Sequence, residues 1–240
     1  MVPVPMDLHV CEAIVAEYGA EHVIGRLGSY LTEARRALIE RVLDRRFASV
    51  EVAVENPTDP HNAAAIVRTC EALGALGMHV ISAVDRALQA PKTTTGSYRW
   101  VQTHHHDHLD GFLAHVRGRG LKVAGAAMDG SIPVTRLPVD EPLVMLLGNE
   151  QRGLSAAARQ ACDYTFHVPM VGMSESLNLS VTAAIALYEV LGRKRGPDVR
   201  GDLQGEQRLD LRAAYYAMSV DRRMLSAMFG LPLEEASHVG

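Results

Sequence analysis

The sequence predicts an α/β domain with a mostly parallel sheet and helical segments at both ends. Short apolar runs alternate along its middle with segments of helical periodicity, which gives the order strand, helix, strand, helix. The run 143–147 is apolar throughout, as expected of a central parallel strand covered on both faces. The composition fits this class, with 48% hydrophobic and 22% charged residues in a chain of 240.

Residues 7–46 predict one or two amphipathic helices, because apolar residues recur there at helical spacing. The apolar positions are Leu31, Leu38, Val42 and Leu43, with arginines around the rest of the surface. The core then follows in chain order: a strand at 50–54, a helix at 62–73 ended by Gly74, a strand at 78–83, a helix at about 109–117, a strand at 121–126, a strand at 143–147 and a helix at 181–191.

The composition changes after Leu191. The basic run 193–197 (RKRGP) ends the last core helix, 199–207 is a polar linker, and a final helical segment spans about 208–228. We therefore predict an N-terminal helical extension at 1–46, a core domain at 47–195, and a C-terminal linker and helical tail at 196–240. Basic ends around an acidic-leaning middle are typical of arms that bind nucleic acid, and equally of solvated helical faces.

Charge and cysteine content restrict the function classes. A formal net charge of -4 excludes nucleic-acid binding through overall charge, so such binding needs local basic patches. Cys11, Cys70 and Cys162 are scattered without CxxC spacing, which favours reduced thiols in a cytosolic protein. No apolar run reaches the roughly 20 residues that a membrane span needs. We predict a soluble, cytoplasmic protein.

Residues 55–70 form the first of three motifs that carry chemistry. Asn62 stands at the start of the predicted helix as its cap, and Arg68 follows six residues later, nearly two turns on and close to the same side. The helix is otherwise largely apolar, and a charge there is unfavourable unless it has a function or a partner. The motif predicts a functional arginine, with a structural salt bridge as the alternative.

Two further motifs join strands to polar loops. Residues 146–155 (LLGNEQRGLS) open a buried strand into a glycine-flanked loop that carries Glu150, and ligands gather at such strand ends in parallel sheets. Residues 168–189 (VPMVGMSESLNLSVTAAIALYE) join a strand, a loop and an apolar helix. Ser176 and Asn178 lie where this helix begins, so they serve either as helix caps or beside a ligand.

In this order and spacing the three motifs resemble the signature of the SPOUT superfamily of RNA methyltransferases, in its SpoU branch and its TrmH-like tRNA (guanosine-2'-O)-methyltransferases. The matching patterns are NxxxxxR, GNExxGLS and VPMxGxxxSLNxSVxxAI, and the stretch 96–101 (GSYRWV) is similar as well. The resemblance covers about 33–195. It implies methylation of a ribose 2'-oxygen at guanosine 18 of the tRNA D-loop, with 23S rRNA or another tRNA nucleotide as the alternative target. A non-catalytic RNA-binding protein is a further alternative, which the intact motifs disfavour.

The resemblance also implies a deep trefoil knot at the C-terminal end of the core domain and a homodimer packed through the knot region. The apolar face of the helix at 181–191 is consistent with that interface, and equally with a buried helix of a monomer. S-adenosylmethionine is expected in the knot, where Gly148 would let the adenosine approach the backbone. The implied cofactor-binding residues are Ala126, Gly148, Val168, Met170, Ser176 and Leu177.

The resemblance assigns roles at the reacting ribose. Arg68 matches an arginine described as the base or as an electrostatic stabiliser, and the second role is favoured because arginine stays protonated in ordinary surroundings. Asn62 would orient Arg68 or the ribose, and Glu150 would lie near the methionine part of the cofactor or near neighbours that carry arginine. The implied catalytic residues are Arg68, Asn62, Glu150, Ser176 and Asn178.

Basic residues on both sides of the core are the implied contacts to RNA phosphates. The histidine run 104–108 invites a metal site, but it has no second ligand cluster, and adjacent side chains point in different directions. We predict an exposed loop for this run and no metal. The implied RNA-binding residues are Arg35, Arg36, Arg41, Arg45, Arg46, Arg193, Lys194 and Arg195.

Overall fold

The computed structural model describes residues 8–84, 96–196 and 200–230. These residues fall into two compact units, a helical unit (8–45 with 203–230) and a sheet unit (the described residues from 46 to 202). None of the described helices is long and apolar enough to cross a membrane. The helices, numbered in chain order, are α1 (Leu8–Tyr18), α2 (Ala20–Leu27), α3 (Glu33–Leu43), α4 (Pro60–Leu73), α5 (Leu109–Gly118), α6 (Ala156–Ala161), α7 (Leu179–Arg195), α8 (Gly205–Ala217) and α9 (Arg222–Phe229).

The helical unit joins the two ends of the chain. Within it, α1, α2 and α3 all contact α8. The segments before and after the sheet therefore share one apolar core, whereas the sequence pattern predicts two separate extensions. The large buried side chains of this core include Leu8, Ile14, Val23, Leu27, Ile39, Leu211, Tyr215 and Leu225.

Three details of the helical unit differ from the sequence prediction. The first segment forms three helices, because Gly19 takes a left-handed φ of 82° between α1 and α2. The last segment forms two helices, because the side chain of Asp221 caps α9 by accepting the N–H of Arg223 at 2.8 Å. Leu38, one of the apolar positions of the predicted amphipathic helices, is 36% exposed, and its neighbour Ile39 is buried instead.

The sheet unit contains a seven-stranded sheet with the order β3-β2-β1-β6-β4-β7-β5. Every pairing between these strands is parallel, which confirms the predicted α/β class. Strands β1 and β6 lie near the centre, and for β6 this confirms the position that its apolar sequence predicts. The strands, numbered in chain order, are β1 (Val50–Glu55), β2 (Gly77–Ile81), β3 (Gln102–His106), β4 (Lys122–Ala126), β5 (Ile132–Pro133), β6 (Leu143–Leu147) and β7 (Tyr164–His167).

Helices cover both faces of this sheet. On one face α4 and α7 pack over a core that includes Val52 and Leu187. On the other face α5 and α6 pack over a core that includes Phe112 and Val144. Each fully buried aliphatic side chain contributes about 1.5–3 kcal/mol to folding. Coverage on both faces explains why Leu143–Leu147 is apolar at every position.

The histidine run is part of the sheet, so the predicted exposed loop is wrong. It forms most of the edge strand β3, whose register pairs His104 with His79 and His106 with Ile81. Backbone pairing with β2 holds the run in place, and polar side chains are tolerated because an edge strand is covered only in part. Across the described residues, no group of three or more His, Cys, Asp or Glu side chains is placed to hold a metal ion.

Candidate active site

Three loops leave one edge of the sheet side by side. Strands β6, β4 and β7 are parallel neighbours, so the loops after them, 148–155, 127–131 and 168–178, start from the same carboxyl edge. The loop 127–131 packs closely against β7, because a Cβ atom at Gly130 would lie only 2.3 Å from the carbonyl carbon of Phe166. Ligands of open parallel sheets bind at this edge.

The loop 148–155 folds back on itself. The backbones of Asn149 and Gly153 exchange two hydrogen bonds, at 3.0 and 2.9 Å. A Cβ atom at Gly148 would lie 2.0 Å from the carbonyl carbon of Gly153 and 2.1 Å from the nitrogen of Leu154. Glycine at position 148 is therefore required by the packing of the loop itself, a reason that the sequence did not reveal.

Glu150 anchors this loop to the segment between β1 and α4. Its carboxylate accepts hydrogen bonds from the N–H of Thr58 at 2.8 Å, the N–H of Asp59 at 3.3 Å and the side-chain amide of Asn62 at 3.0 Å. Burial acts to raise the pKa of Glu150, but these hydrogen bonds outweigh it and lower the pKa to about 2. Glu150 is an ionised anchor and a weak base.

A chain of amide hydrogen bonds continues from Glu150 through Asn62 to Asn178. Asn178 caps α7, as predicted, with its Oδ1 accepting the N–H of Ser180 at 2.9 Å and of Val181 at 3.4 Å. Its Nδ2 therefore faces Asn62 Oδ1, at 3.1 Å. Asn62 in turn presents its own Nδ2 to the carboxylate, which can only accept. The helix cap and the carboxylate together fix the orientation of both amides.

Asn62 does not cap α4, contrary to the sequence prediction. The helix begins at Pro60, and Asp59 caps it by accepting the N–H of His61 at 2.8 Å. Asn62 lies in the first turn, 9% exposed, with its amide directed to the loops. This position lets one side chain link the first motif to the second and the third.

Arg68 lies on another side of α4. Six residues rotate an α-helix by roughly 600°, so Arg68 and Asn62 are about 120° apart around the helix axis, and the predicted common side is wrong. Arg68 is exposed on the wall of a groove between α4 and α7 with a volume of about 900 Å³. Val168, Ile185 and Tyr188 also line this groove.

The guanidinium of Arg68 has no hydrogen-bond or ion-pair partner among residues 8–84, 96–196 and 200–230. The alternative prediction, a structural salt bridge, therefore finds no counterpart in that part of the chain. All five N–H donors of this guanidinium are available to a ligand that enters the groove. An anionic group, such as a phosphate, is the ligand that suits them.

The remaining predicted cofactor residues lie on or beside the three loops. Ala126 ends β4 and is half-buried. Val168 follows β7 and packs partly against the core. Met170 and Leu177 are 40% and 37% exposed, so their apolar side chains face outward from the third loop. Ser176 is exposed and makes no hydrogen bond to any residue that the structure describes.

The structure contradicts the predicted phosphate contact of Arg46. Its side chain is 1% exposed. It donates to the carbonyl oxygens of Glu71 at 3.0 Å and Trp100 at 3.2 Å, and it lies 3.4 Å from the carboxylate of Glu71. The sequence grouped Arg46 with the helical arginines, but α3 ends at Leu43 and Arg46 begins the sheet unit.

Three other predicted phosphate contacts, at the end of α7, have backbone partners. Arg193 and Lys194 donate to three carbonyl oxygens within the segment 134–139, at 2.7 to 3.0 Å. Arg195 donates to the carbonyl oxygen of Leu73. These side chains join α7 to its neighbours, and helix C-termini commonly carry basic residues for such contacts. The donors of these side chains are thus used by the fold.

The other predicted RNA contacts belong to the helical unit. Arg35 is half-buried, and its Nε donates to Ser219 Oγ at 2.9 Å. Arg36, Arg41 and Arg45 are exposed, and they have no ion-pair partner in the described part of the chain. These three arginines keep their charge available at the surface.

Sequence reasoning missed two polar residues at this edge. Asn149 donates to the carbonyl oxygen of Asn56 at 2.6 Å and to the hydroxyl of Thr58 at 2.8 Å. Glu55, at the end of β1, accepts the N–H and the hydroxyl of Ser155. The available signal was a polar side chain at the last position of a buried strand, or two residues after it, where a polar group that becomes buried requires a partner.

Comparison with known proteins identifies the family. The sequence model of the SpoU rRNA Methylase family matches residues 49–188. The tRNA (guanosine(18)-2'-O)-methyltransferase of Thermus thermophilus is 34% identical over 180 residues, which are 75% of this chain and 91% of that protein. The Escherichia coli protein of the same name is 31% identical over 160 residues, 66% of this chain and 70% of that protein.

Solved structures agree with the sequence match. The TrmH/SpoU tRNA modifying enzyme of A. aeolicus superposes with a TM-score of 0.69 at 30% identity, over 79% of this chain and 98% of that one. The SpoU methyltransferase AviRb of Streptomyces viridochromogenes, in complex with AdoMet, gives a TM-score of 0.58 at 30% identity, over 63% of this chain and 59% of that one. The chain belongs to the SpoU rRNA methylase family.

Proposed function

We propose that this chain transfers the methyl group of S-adenosylmethionine to the ribose 2'-oxygen of guanosine 18 in the tRNA D-loop. Its family and the activity of its bacterial relatives support the proposal. The observation that carries it is the hydrogen-bonded chain from Glu150 through Asn62 to Asn178, which joins the three family motifs at the ligand-binding edge of the sheet. The cytoplasm, where tRNA is modified, is the location that this proposal implies.

The loops at this edge fit S-adenosylmethionine. Glycine at 148 lets the loop 148–155 fold tightly on itself, and glycine at 130 lets the loop 127–131 pack against β7. The third loop exposes the apolar side chains of Met170 and Leu177 beside the hydroxyl of Ser176. This combination suits a ligand with a polar ribose and amino acid part and a flat adenine. When bound, the cofactor supplies a methyl group activated on a sulfonium. The residues that would hold it are Ala126, Gly148, Val168, Met170, Ser176 and Leu177.

The side chains near this edge would have separate roles at the reacting ribose. Arg68, with its donors uncommitted in the described structure, would stabilise negative charge on the reacting oxygen or bind a neighbouring phosphate. Asn62 and Asn178 each keep one amide N–H beyond the bonds described, and these would orient the ribose. Ser176 offers an exposed hydroxyl on the same loop. Glu150 would fix Asn62 and leave proton transfer to other groups, because its pKa of about 2 makes it a weak base.

The proposal includes a trefoil knot at the C-terminal end of the sheet unit and a homodimer packed through it. A second copy would cover the outward face of α7. Val181, Ile185 and Tyr188 form a stripe there at helical spacing and are 45%, 38% and 69% exposed. An exposed apolar stripe of this kind is typical of an interface.

Light scattering should therefore give twice the mass of one chain. Tyr188→Asp should shift the measured mass toward that of the monomer.

The proposed RNA surface consists of the exposed arginines Arg36, Arg41 and Arg45, with Arg35 beside them. Phosphate contacts of this type position RNA without reading its sequence. Each one that is lost reduces the salt dependence of binding, because fewer counterions are released. Arg36→Ala and Arg41→Ala should each weaken tRNA binding and flatten its salt dependence, whereas Arg46→Ala should act through stability.

Another nucleotide is the second candidate target. An AdoMet-bound rRNA methyltransferase from Sinorhizobium meliloti is similar to this chain at 27% identity with a TM-score of 0.57. A structure that concerns 2-OH methylation of C/U34 on tRNA is similar at 29% identity with a TM-score of 0.53. The fold therefore accommodates several RNA targets. The longer match to the guanosine 18 enzymes favours the tRNA D-loop.

Transfer of a tritiated methyl group tests the proposal. The protein is incubated with labelled S-adenosylmethionine and, separately, with a tRNA transcript, the same transcript with adenosine in place of guanosine 18, and purified rRNA. We expect label in the first transcript alone. Label in the adenosine transcript or in rRNA would assign the second candidate target. No label in any RNA would contradict the methyltransferase proposal.

A further inference from the structure

Glu55 occupies a buried position directly beside the loop 148–155. It is the last residue of β1 and is 5% exposed. Both of its carboxylate oxygens are used by one residue. Oε2 accepts the backbone N–H of Ser155 at 2.8 Å, and Oε1 accepts the Ser155 hydroxyl at 2.7 Å. Glu55 therefore fixes the backbone and the side chain of Ser155 at once.

Ser155 follows directly after the part of the loop that packs on Gly148. The backbone at 153–154 fills the space that a Cβ atom of Gly148 would occupy. On one side this backbone is held by its pairing with Asn149. On the other side it is held by Ser155, and through Ser155 by Glu55. The fit of the loop against Gly148 thus depends on the carboxylate at the end of β1.

The side-chain anchors of this loop lead to one short segment. Asn149 and Glu150 form hydrogen bonds with residues between 56 and 62, and Ser155 forms hydrogen bonds with Glu55. The same segment leads directly into α4, the helix that carries Arg68. Of these anchors Glu55 is the most deeply buried, and its two hydrogen bonds are the only ones described for its side chain in the described ranges.

Ser155 requires a group with two acceptors. Its hydroxyl oxygen accepts the N–H of Ala158 at 3.1 Å and so caps α6, which leaves its hydroxyl proton and its backbone N–H as donors. A carboxylate satisfies both. A glutamine of nearly the same shape has only one acceptor oxygen and turns an NH₂ group toward the second donor. The change Glu55→Gln therefore alters the hydrogen bonding and preserves the volume.

We propose that Glu55 is a positioning residue for the cofactor: it holds Ser155, and through Ser155 the loop backbone beside Gly148, in the place that S-adenosylmethionine requires. Glu55 does this without touching the cofactor. The inference rests on the proposed function, because it assigns Glu55 to the cofactor loop of a methyltransferase. Loss of the carboxylate should therefore weaken cofactor binding more than it slows the reaction at saturating cofactor.

Calorimetry with S-adenosylmethionine and steady-state methylation of tRNA test this claim. Glu55→Gln should raise the Kd and the KM for S-adenosylmethionine by about 10-fold, the size expected for a lost hydrogen bond to a charged group, with kcat changed by less than about 3-fold. Ser155→Ala removes only the hydroxyl and should raise the Kd less. Glu55→Gln should then have a smaller effect in the Ser155→Ala background than in the wild type, because the two residues form one interaction.

Glu51→Gln is the matched control. Glu51 lies four residues earlier on the same face of β1, is equally buried, and bonds groups outside the loop. The Glu51→Gln variant should have a melting temperature lowered at least as much as that of Glu55→Gln. Its Kd for S-adenosylmethionine should be unchanged. A wild-type Kd in Glu55→Gln, or an equal rise in Glu51→Gln, would overturn the inference. If Glu55→Gln does not fold, a wild-type Kd in Ser155→Ala overturns it. Failure of the wild-type protein to bind S-adenosylmethionine would instead overturn the proposed function.

Discussion

Two carboxylates of the sheet unit are stabilised in opposite ways. Glu51, inside β1, is fully buried beside two basic side chains. Arg119 donates to its two oxygens at 2.8 and 3.1 Å, and His79 Nε2 lies 2.7 Å away. Glu150, in the loop after β6, is held by amide and backbone N–H groups. Burial acts to raise the pKa of both carboxyls, and in each case the partners outweigh it and lower the pKa.

The difference shows where the fold uses positive charge. In the Glu51 cluster, a cationic side chain neutralises the buried carboxylate. At the carboxyl edge, neutral donors satisfy Glu150, so no cation is needed there. Arg68, on another side of α4 from Asn62, has no partner in the described structure and faces the groove. An uncommitted guanidinium is what a site for anionic RNA requires.

The largest expected effect concerns this unpaired arginine. Arg68→Ala should lower kcat for tRNA methylation by at least about 100-fold, since a donor that stabilises developing negative charge contributes roughly that much. Its melting temperature should stay close to that of the wild type, because the described residues include no partner to lose. Single-turnover methylation and thermal denaturation measure the two effects. Arg46→Ala should show the reverse pattern, and a wild-type rate in Arg68→Ala would refute the role of Arg68.

The next effect concerns the stability of the Glu51 cluster. Glu51→Gln should lower the free energy of unfolding by roughly 3 kcal/mol, because it leaves Arg119 without the charge that balances it and disturbs the hydrogen bond to the buried His79. Urea unfolding measures the change. Glu21→Gln, at an exposed position in α2, should change stability by less than about 0.5 kcal/mol. Equal stability of the Glu51 and Glu21 variants would contradict the description of the buried cluster.

Glu150→Gln separates function from stability more finely. The substitution should reduce kcat/KM by about 10-fold, because an NH₂ group would replace one of the acceptors for Thr58, Asp59 and Asn62. The loss in unfolding free energy should be about 1 kcal/mol, smaller than for Glu51→Gln, because this carboxylate is partly exposed. Steady-state kinetics and urea unfolding test both numbers. A larger stability loss at Glu150 than at Glu51 would reverse the comparison.

The smallest effect appears on acidification, because His106 and Glu150 are both partly exposed and solvent screens their interactions. Partial burial, with the charges of His79, His115 and His105, lowers the pKa of His106 from 6.5 to about 4. Between those pH values the unfolded chain binds the proton more readily, so the free energy of unfolding should fall as the pH falls. The lowered pKa of Glu150 has the same sign in a lower window, between 4.5 and about 2.

Urea unfolding at a series of pH values distinguishes these two windows. His106→Gln should reduce the loss of stability above pH 4, and Glu150→Gln should reduce the loss below it. A pH profile that neither variant alters would show that other groups control acid stability.

The sequence predicted the central strands well and the edge strand poorly. Leu143–Leu147 is buried on both faces, so its uniformly apolar sequence predicts a central place in the sheet. The edge strand Gln102–His106 is mostly histidine, and it is held by backbone pairing with β2 and by polar and ring contacts such as His106 with His79. Apolar periodicity finds elements whose buried side chains are apolar, and it fails where backbone pairing and polar side chains fix the element.

The candidate site shows the same division. The motif resemblance indicated Asn62, Glu150 and Asn178, and the fold brings these three together from distant parts of the chain. It did not distinguish Arg46, which is buried, from Arg45, which is exposed one residue earlier. That difference depends on where α3 ends and on carbonyl groups tens of residues away, and composition carries no information about them.

The position of the methyl group in the RNA product is the decisive measurement. A tRNA transcript is treated with the protein and S-adenosylmethionine, digested with nuclease, and analysed by mass spectrometry. We expect one added methyl group on the ribose of guanosine 18, nearly absent with Arg68→Ala and retained with Glu51→Gln. A methyl group on a base or on another nucleotide, or an undiminished product with Arg68→Ala, would contradict it.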